Sequence, residues 1–393
     1  MALEIAAVQQ ALRVEGVDGW LLYDFHGSNP VAYRMAGLAE AGHLATRRWF
    51  YLIPHTGEPR ALVHAIERYN LDHLPGSKII YAGRTQLLDG LRSLLGGVTR
   101  VAMEYSPNCA IPYVSRVDAG TVELIRSLGV AVVSSGDLIQ QFEARWNDAA
   151  IASHRTASDK LHRIKDQAFA SIARRLRDGV PTTEYDIQQQ MVAWFQDEGL
   201  VADSAPCVSA EENAGNPHYL ANAAQHRVIR KNELVLIDLW GKLNTAGAVY
   251  ADITWMGFAG VDVPERMTHA FAAIAHARDA AVSTVVDGAR AGRDVRGFQA
   301  DQAARQVLID AGYEAAIMHR TGHSLGENVH GNGAHLDDYE THDERRLIPG
   351  SGFTIEPGLY FKDFGVRTEI NMVWTATGPE VTGPRQNAIL SLV

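Results

Sequence analysis

Cysteine is scarce. Cys109 and Cys207 are the two in 393 residues, too few for a disulfide framework and in keeping with a reducing compartment. Neither sits in a metal or redox spacing, so both read as small core or loop residues. Positive charge is also short: 36 Lys and Arg stand against 46 Asp and Glu, a formal net charge of −10. That balance argues against a nucleic-acid partner, and no basic block offers itself to an anionic membrane. No uncharged apolar run approaches the ~18 residues of a spanning helix. Met1-Ala2-Leu3-Glu4-Ile5 has an early acid, no basic segment and no long apolar stretch after it, so no signal peptide is expected. The expectation is a cytoplasmic protein. Two signatures are missing as well. The first half has no Gly-x-Gly-x-x-Gly, and no His-Glu-x-x-His occurs anywhere, which disfavours a single-zinc protease of that type.

What is present is an ordinary globular balance, 46% apolar and 21% charged, at a length that favours two domains. Residues 1–143 alternate helix and strand signals. Strand-like runs fall at Gly19–Tyr23, Trp49–Ile53, Val101–Glu104 and Val130–Val133, with helical stretches at Ala6–Val14, 86–95 and 120–128. This predicts an α/β layer. A long helix is predicted from Asn147 to Arg177, stopped by Gly179 and Pro181. Thr183 and Asp186 form a capping box for the next. Two more helices are expected at 264–286 and 295–311, with strand runs at Leu234–Leu239, Ala248–Phe258, Ser351–Ile355 and Gly365–Trp374. Residues 144–393 thus read as an α+β domain, an antiparallel sheet backed by helices.

Four carboxylates and a histidine stand at the edges of these runs: Asp238, Asp252, His323, Glu356 and Glu369. Four acids brought together would repel, and most would take up protons. Two divalent cations remove that conflict, and a dinuclear centre bridged by carboxylates is a hydrolytic device. Asp238 and Asp252 are 14 residues apart and share a sheet face if a hairpin pairs them in even register; taken alone they also read as hairpin-end aspartates. The segment Gly241–Gly247 is turn-like. Arg367 and Glu369 lie two apart, as an inward ion pair or a metal-bound acid would. His319 and His323 have the spacing of a helical zinc pair, but Gly322, Gly326 and Gly331 make a helix poor there. His319, His335 and His342 read as satisfied core or surface groups.

The ordered set Asp, Asp, His, Glu, Glu, with His218 in Asn216-Pro217-His218-Tyr219 and His330 in Val329-His330-Gly331, resembles the pita-bread metallopeptidases. That family includes methionine aminopeptidase, aminopeptidase P, prolidase and creatinase. The first half, with His26-Gly27-Ser28-Asn29-Pro30, resembles the N-terminal domain of the prolidase, aminopeptidase P and creatinase branch. The resemblance implies an α/β capping and dimerisation domain (1–143) and a pita-bread catalytic domain (144–393). It implies that Asp238 holds one ion, that Asp252 and Glu369 bridge two, and that His323 and Glu356 complete the second. Glu356 would also serve as proton shuttle, His330 would meet the substrate carbonyl, and His218 the leaving side. Thr254 and Arg367 would orient carboxylates, Arg367 at the edge of the substrate site. Two divalent ions, manganese, cobalt or zinc, suit such donors.

Three departures from the family pattern stand out. The two aspartates are further apart than usual, and the extra residues are expected in the loop. Thr254-Trp255-Met256 replaces Thr-Arg-Thr. The position where some prolidases carry a carboxylate-binding arginine holds His342, with Arg345 and Arg346 beyond it. Arg345, Arg346, Arg47 and Arg48 are therefore the candidates to meet a substrate carboxylate. The expected activity is hydrolysis of Xaa-Pro dipeptides by a homodimer. Aminopeptidase P action on longer peptides is the nearest alternative. A creatinase-type hydrolase or a non-catalytic binding module fits less well, because all five ligands are retained.

Overall fold

The computed structural model describes residues 3–38 and 45–393; the Met1-Ala2 end of the segment read for a leader lies outside them. The chain divides into two compact units, Met1–Phe142 and Glu143–Val393. Among the described residues no helix is long and apolar enough to cross a membrane.

In the first unit, strands β1 (Gly19–Asp24), β2 (Trp49–Pro54), β3 (Arg60–His64), β4 (Ser77–Tyr81), β5 (Arg100–Met103) and β6 (Ala131–Ser134) form one mixed sheet in the order β4-β3-β2-β1-β5-β6. Both faces are covered, which is why β1 and β2 read as unbroken apolar runs. Trp20, Leu22, Trp49 and Tyr51 enter one core, and Leu21, Tyr23, Phe50 and Leu52 enter the other, with the period of two that a strand imposes. The helices are α1 (Ile5–Glu15), α2 (Pro30–Met35), α3 (Arg84–Leu94), α4 (Ala119–Ser127) and α5 (Gly136–Glu143). The patterning left out β3, β4, α2 and α5, all short.

The second unit opens on α6 (Asp148–Arg177), capped by the Asn147 side chain on the N–H of Ala150, and α7 (Glu184–Asp197), whose Thr183–Asp186 capping box is closed in both directions. Short strands β7 (Leu200–Val201) and β8 (Cys207–Ala210) follow, then the long pair β9 (Leu234–Leu243) and β10 (Ala251–Phe258). Helices α8 (Glu265–Arg290) and α9 (Gly297–Asp310) come next. The remaining strands are β11 (Ser324–Leu325), β12 (Gly352–Ile355), β13 (Gly358–Tyr360), β14 (Gly365–Arg367), β15 (Ile370–Thr375), β16 (Gly378–Thr382) and β17 (Leu390–Ser391). One sheet runs β17-β10-β9-β7 with β8 also on β9, a second runs β11-β12-β15-β16, and β13 pairs with β14.

Two expectations are corrected. Gly241, Lys242 and Leu243 are strand, not turn: Leu243 and Lys242 pair with Leu200 and Val201 of β7, and those hydrogen bonds keep the segment extended. Asp238 is therefore mid-strand, and the chain joining β9 to β10 is 244–250. The run Gly365–Trp374 is two strands in two sheets, broken at Thr368 and Glu369.

Alternation along β9 and β10 separates the faces. Val235, Ile237, Leu239, Ala251 and Ile253 pack with Leu161, Ile164 and Ile172 of α6. Leu234, Leu236, Met256 and Phe258 pack with α8 residues Phe271 and Ile274. The second face also carries Asp238 and Asp252, so the acids extend an apolar surface.

On the α6 side His162 lies edge-on to Trp255 (5.7 Å between ring centroids), and Lys165 Nζ stands 3.7 Å from the same indole ring centroid. Burial, then the Lys165 charge, pushes the His162 pKa down to about 4. Between roughly pH 6.5 and this value the unfolded chain binds the extra proton, so the contribution of His162 to stability is present at neutral pH and is lost as pH falls through that window. The stability of the metal-loaded wild type relative to His162→Leu should decline from pH 7 to pH 4.5 in thermal melts. An unchanging difference would count against this reading.

Candidate metal centre

Pairing of β9 with β10 places Asp238 opposite Thr254 and Asp252 opposite Trp240, so Asp238, Trp240, Asp252 and Thr254 share one face. The even register that the aspartates needed is present. The second sheet brings the other groups. His323 precedes β11 and is tied to β12: its N–H donates to Thr354 Oγ1 (2.9 Å), and its C=O accepts from Thr354 N (2.8 Å). This approach requires glycine before it, since a Cβ on Gly322 would stand 2.1 Å from the Thr354 carbonyl oxygen. Glu356 follows β12, its N–H bonded to Thr321 O. Glu369 sits in the break between β14 and β15, its N–H bonded to Thr254 O of β10 (3.2 Å). The interruption that patterning missed is what turns Glu369 toward the aspartates' strand.

The side chains converge. One ligand atom each from Asp252, His323 and Glu369 lie within 4.8 Å of one another. His323 Nε2 is 3.6 Å from Asp252 Oδ2 and 3.4 Å from Glu356 Oε1. Asp238 Oδ2 receives Arg367 Nη2. Arg367 also donates from Nε to Thr254 Oγ1 (3.0 Å), and Thr254 donates on to Glu369 Oε2 (2.7 Å). Thr354 repeats the device, donating from Oγ1 to Glu356 Oε1 (3.0 Å). Asp252 Oδ1 and Glu369 Oε1 remain buried acceptors with no hydrogen-bond donor among the described residues.

Electrostatics follow from this crowding. Burial, then the charges of Asp238 and Glu356, drives Asp252 well above the carboxylate range. Burial, then Asp252 and Glu356, does the same to Glu369. Asp238 is raised by burial, with Arg367 opposing. Burial also works to raise Glu356, but His323, His319 and Arg367 outweigh it and hold Glu356 below its usual value. Acids so arranged do not all ionise unaided. Orphan acceptors, four acids and one imidazole are a donor set suited to divalent cations of the manganese, cobalt or zinc kind.

The other predicted residues are distributed unevenly. His330 lies beside His323 with ring centroids 4.4 Å apart and the rings tilted by 55°; burial, then His323, lowers it to about 4. His218 is exposed, and among the described residues no hydrogen bond joins its ring to the carboxylate set. Arg345 is buried and forked onto Asp343 (2.9 and 2.6 Å), with Asn332 O as a third partner, which leaves it no free edge for a substrate. Arg346 is half-buried and bridges to Arg296 in the backbone. Arg47 and Arg48 belong to the first unit, where Arg47 bonds Thr46 Oγ1 (3.0 Å) and the Arg48 carbonyl accepts from Tyr81. Arg367 pairs with Asp238 rather than with Glu369.

Several supporting groups escaped the sequence. Tyr360 accepts from Arg367 Nη1 (3.1 Å) and shares a hydrogen bond with His319 Nε2 (2.7 Å). Asn371 brackets the Asp252 backbone, accepting from its N–H (3.0 Å) and donating to its C=O (2.5 Å). No spacing rule flags an asparagine or tyrosine whose partners are remote in the chain.

A model of metallopeptidase family M24 matches residues 157–376. The probable dipeptidase PepE of Mycobacterium tuberculosis is 26% identical over 257 residues, 65% of this chain and 62% of that one. An Xaa-Pro dipeptidase of Lactobacillus delbrueckii subsp. lactis is 29% identical over 214 residues, 54% of each. The matched region thus spans less than two thirds of the length of these curated relatives. Among solved structures, dipeptidase PepE from Mycobacterium ulcerans has a TM-score of 0.67 at 22% identity, covering 99% of this chain and 96% of that one. A prolidase from Thermococcus sibiricus has a TM-score of 0.60 at 19% identity, covering 100% and 99%. These structural likenesses are likenesses of fold.

Proposed function

The chain belongs to metallopeptidase family M24, with the pita-bread catalytic fold, and from that membership we propose that it hydrolyses the peptide bond before proline in Xaa-Pro dipeptides, using two divalent ions. The observation that carries the reading is the convergence of Asp252, His323 and Glu369 with Glu356 alongside, and with two carboxylate oxygens left without donors. Asp238 would hold one ion, His323 and Glu356 the other, and Asp252 and Glu369 both. Bound there, the ions lower the pKa of water and polarise a carbonyl oxygen.

The chain's own groups supply the rest. Thr254 holds Glu369 Oε2 and leaves Glu369 Oε1 without a donor, while Thr354 holds Glu356 by the Oε1 that lies 3.4 Å from His323 Nε2. Arg367 sets the plane of Asp238. Glu356, held low by its neighbours, is ionised at neutral pH and is the group to receive and pass on a proton. His330 is neutral there, so it donates a hydrogen bond to a substrate carbonyl without competing as a cation. His218 would meet the leaving side, and Arg346, Arg47 and Arg48 stay the candidates for the carboxylate. Pairing of subunits through residues 1–143, and their capping of the cleft, belong to the same reading; mass in solution checks the pairing.

One observation favours a second reading. With Arg345 committed to Asp343, a carboxylate fork is harder to find in the catalytic unit, and a site without one accepts longer peptides, as aminopeptidase P does. The test strips metal from the protein and restores manganese, cobalt or zinc before assay with Xaa-Pro dipeptides and Xaa-Pro-Yaa tripeptides. Metal-restored cleavage of dipeptides alone is expected. Equal cleavage of both lengths moves the assignment to aminopeptidase P, and no restored activity on either overturns both readings.

A further inference from the structure

One acid at the margin of the centre has no part in holding metal. Asp203 lies between β7 and β8, exposed, and its Oδ1 accepts the indole N–H of Trp240 at 2.6 Å. Trp240 is two residues beyond Asp238 and directly opposite Asp252, so the indole stands on the same sheet face as both aspartates. The Asp203 carboxylate is thereby held at the edge of the sheet face that carries the centre. Among the described residues no lysine, arginine or histidine forms an ion pair with it. The one lysine nearby on β9, Lys242, gives its ammonium to Glu327 O (2.6 Å) and lies 5.3 Å from the Tyr250 ring centroid.

An exposed, oriented carboxylate with one oxygen held by an indole, beside a centre whose other acids would be claimed by metal, suits a cationic donor such as a primary ammonium. We infer that Asp203, held by Trp240, receives the α-ammonium of the substrate and makes a free N-terminus a condition of tight binding. This rests on the peptidase reading above and adds to it the residue that reads the amine. Trp240 acts through Asp203 and is a positioning residue. A carboxylate-to-ammonium hydrogen bond that bound substrate covers from solvent corresponds to about tenfold or more in affinity.

The experiment uses the full chain, metal-loaded, as wild type, Asp203→Asn, Asp203→Glu and Trp240→Phe. Each is assayed for hydrolysis of Ala-Pro and for inhibition by propionyl-proline, the same molecule without its amine. Metal content is measured on every sample. Asp203→Asn should raise KM for Ala-Pro about tenfold or more with a smaller change in kcat, leave the inhibition constant of propionyl-proline where it was, and keep full metal. Asp203→Glu should recover part of the loss, and Trp240→Phe should fall between wild type and Asp203→Asn. An unchanged KM in Asp203→Asn, or a parallel loss of affinity for Ala-Pro and propionyl-proline, overturns the inference. If the wild type cleaves only tripeptides, Ala-Pro-Ala and propionyl-Pro-Ala take their places. If the wild type cleaves neither length, the peptidase reading itself has failed, which the wild type alone reveals, and the inference falls with it.

Discussion

Asp252→Asn is expected to abolish turnover while making the metal-free protein more stable. Asp252 is buried among Asp238, Glu356 and Glu369, and its carboxyl is driven well above the normal range by burial and then by the Asp238 charge. Amide for carboxyl keeps the shape and removes the cost that the buried acid imposes, whether as repulsion or as proton uptake, so in chelator the variant should melt above wild type. With metal restored the order should reverse, because on the proposed reading Asp252 would be a ligand to both ions and that ligand is gone. Loss of several kcal/mol of transition-state stabilisation lowers kcat by on the order of a thousandfold or more. Differential scanning calorimetry with and without manganese, alongside metal content, checks both halves. A variant that melts below wild type in both conditions would show that carboxylate repulsion does not govern the metal-free site.

The second large effect concerns stability and lies away from the metal. Glu184, fully buried at the first turn of α7, accepts hydrogen bonds from Ala210 N (2.7 Å), Asn213 Nδ2 (3.0 Å), Tyr219 Oη (2.6 Å) and Arg227 N (2.8 Å). One side chain thereby gathers the segment 210–227 that carries His218. Glu184→Ala leaves these donors, Ala210 and Tyr219 buried and Asn213 and Arg227 half-buried, without their acceptor, at a cost of roughly 4 kcal/mol, since each orphaned buried group costs about 1–3 kcal/mol. Glu184→Gln keeps one acceptor oxygen and should cost less. Urea unfolding measures the loss, and hydrogen exchange should show 210–227 losing protection before the β9–β10 pair. A cost below about 1 kcal/mol for the alanine variant would mean water replaces the carboxylate freely.

Much of this architecture is legible locally. The Asn147 cap and the Thr183–Asp186 box declare two helix starts, because the groups that satisfy a first turn lie within three residues of it. The apolar runs of β1, β2, β9 and β10 declare strands because their environment repeats every two residues or is apolar on both faces. Reading failed where a distant partner decides. Gly241 to Leu243 has turn composition, yet β7 holds it extended. Gly365–Trp374 has unbroken β propensity, yet its two parts pair with β13 and β12, in different sheets.

The same division runs through the centre. Sequence by itself determined which residues are present and in what order: two aspartates on adjacent strands, a histidine after glycine, a glutamate before proline, a glutamate two beyond an arginine. Those are matters of composition and of periods a few residues long. Only the tertiary structure decided that Arg367 answers Asp238 and not Glu369, that Thr254 and Thr354 each hold a carboxylate oxygen, and that Asp252 Oδ1 and Glu369 Oε1 are left unanswered. Hydrogen-bond geometry is set to within tenths of an ångström. Here it joins groups carried by different sheets, so it exists only once strands remote in the chain have paired and the cores behind them have closed.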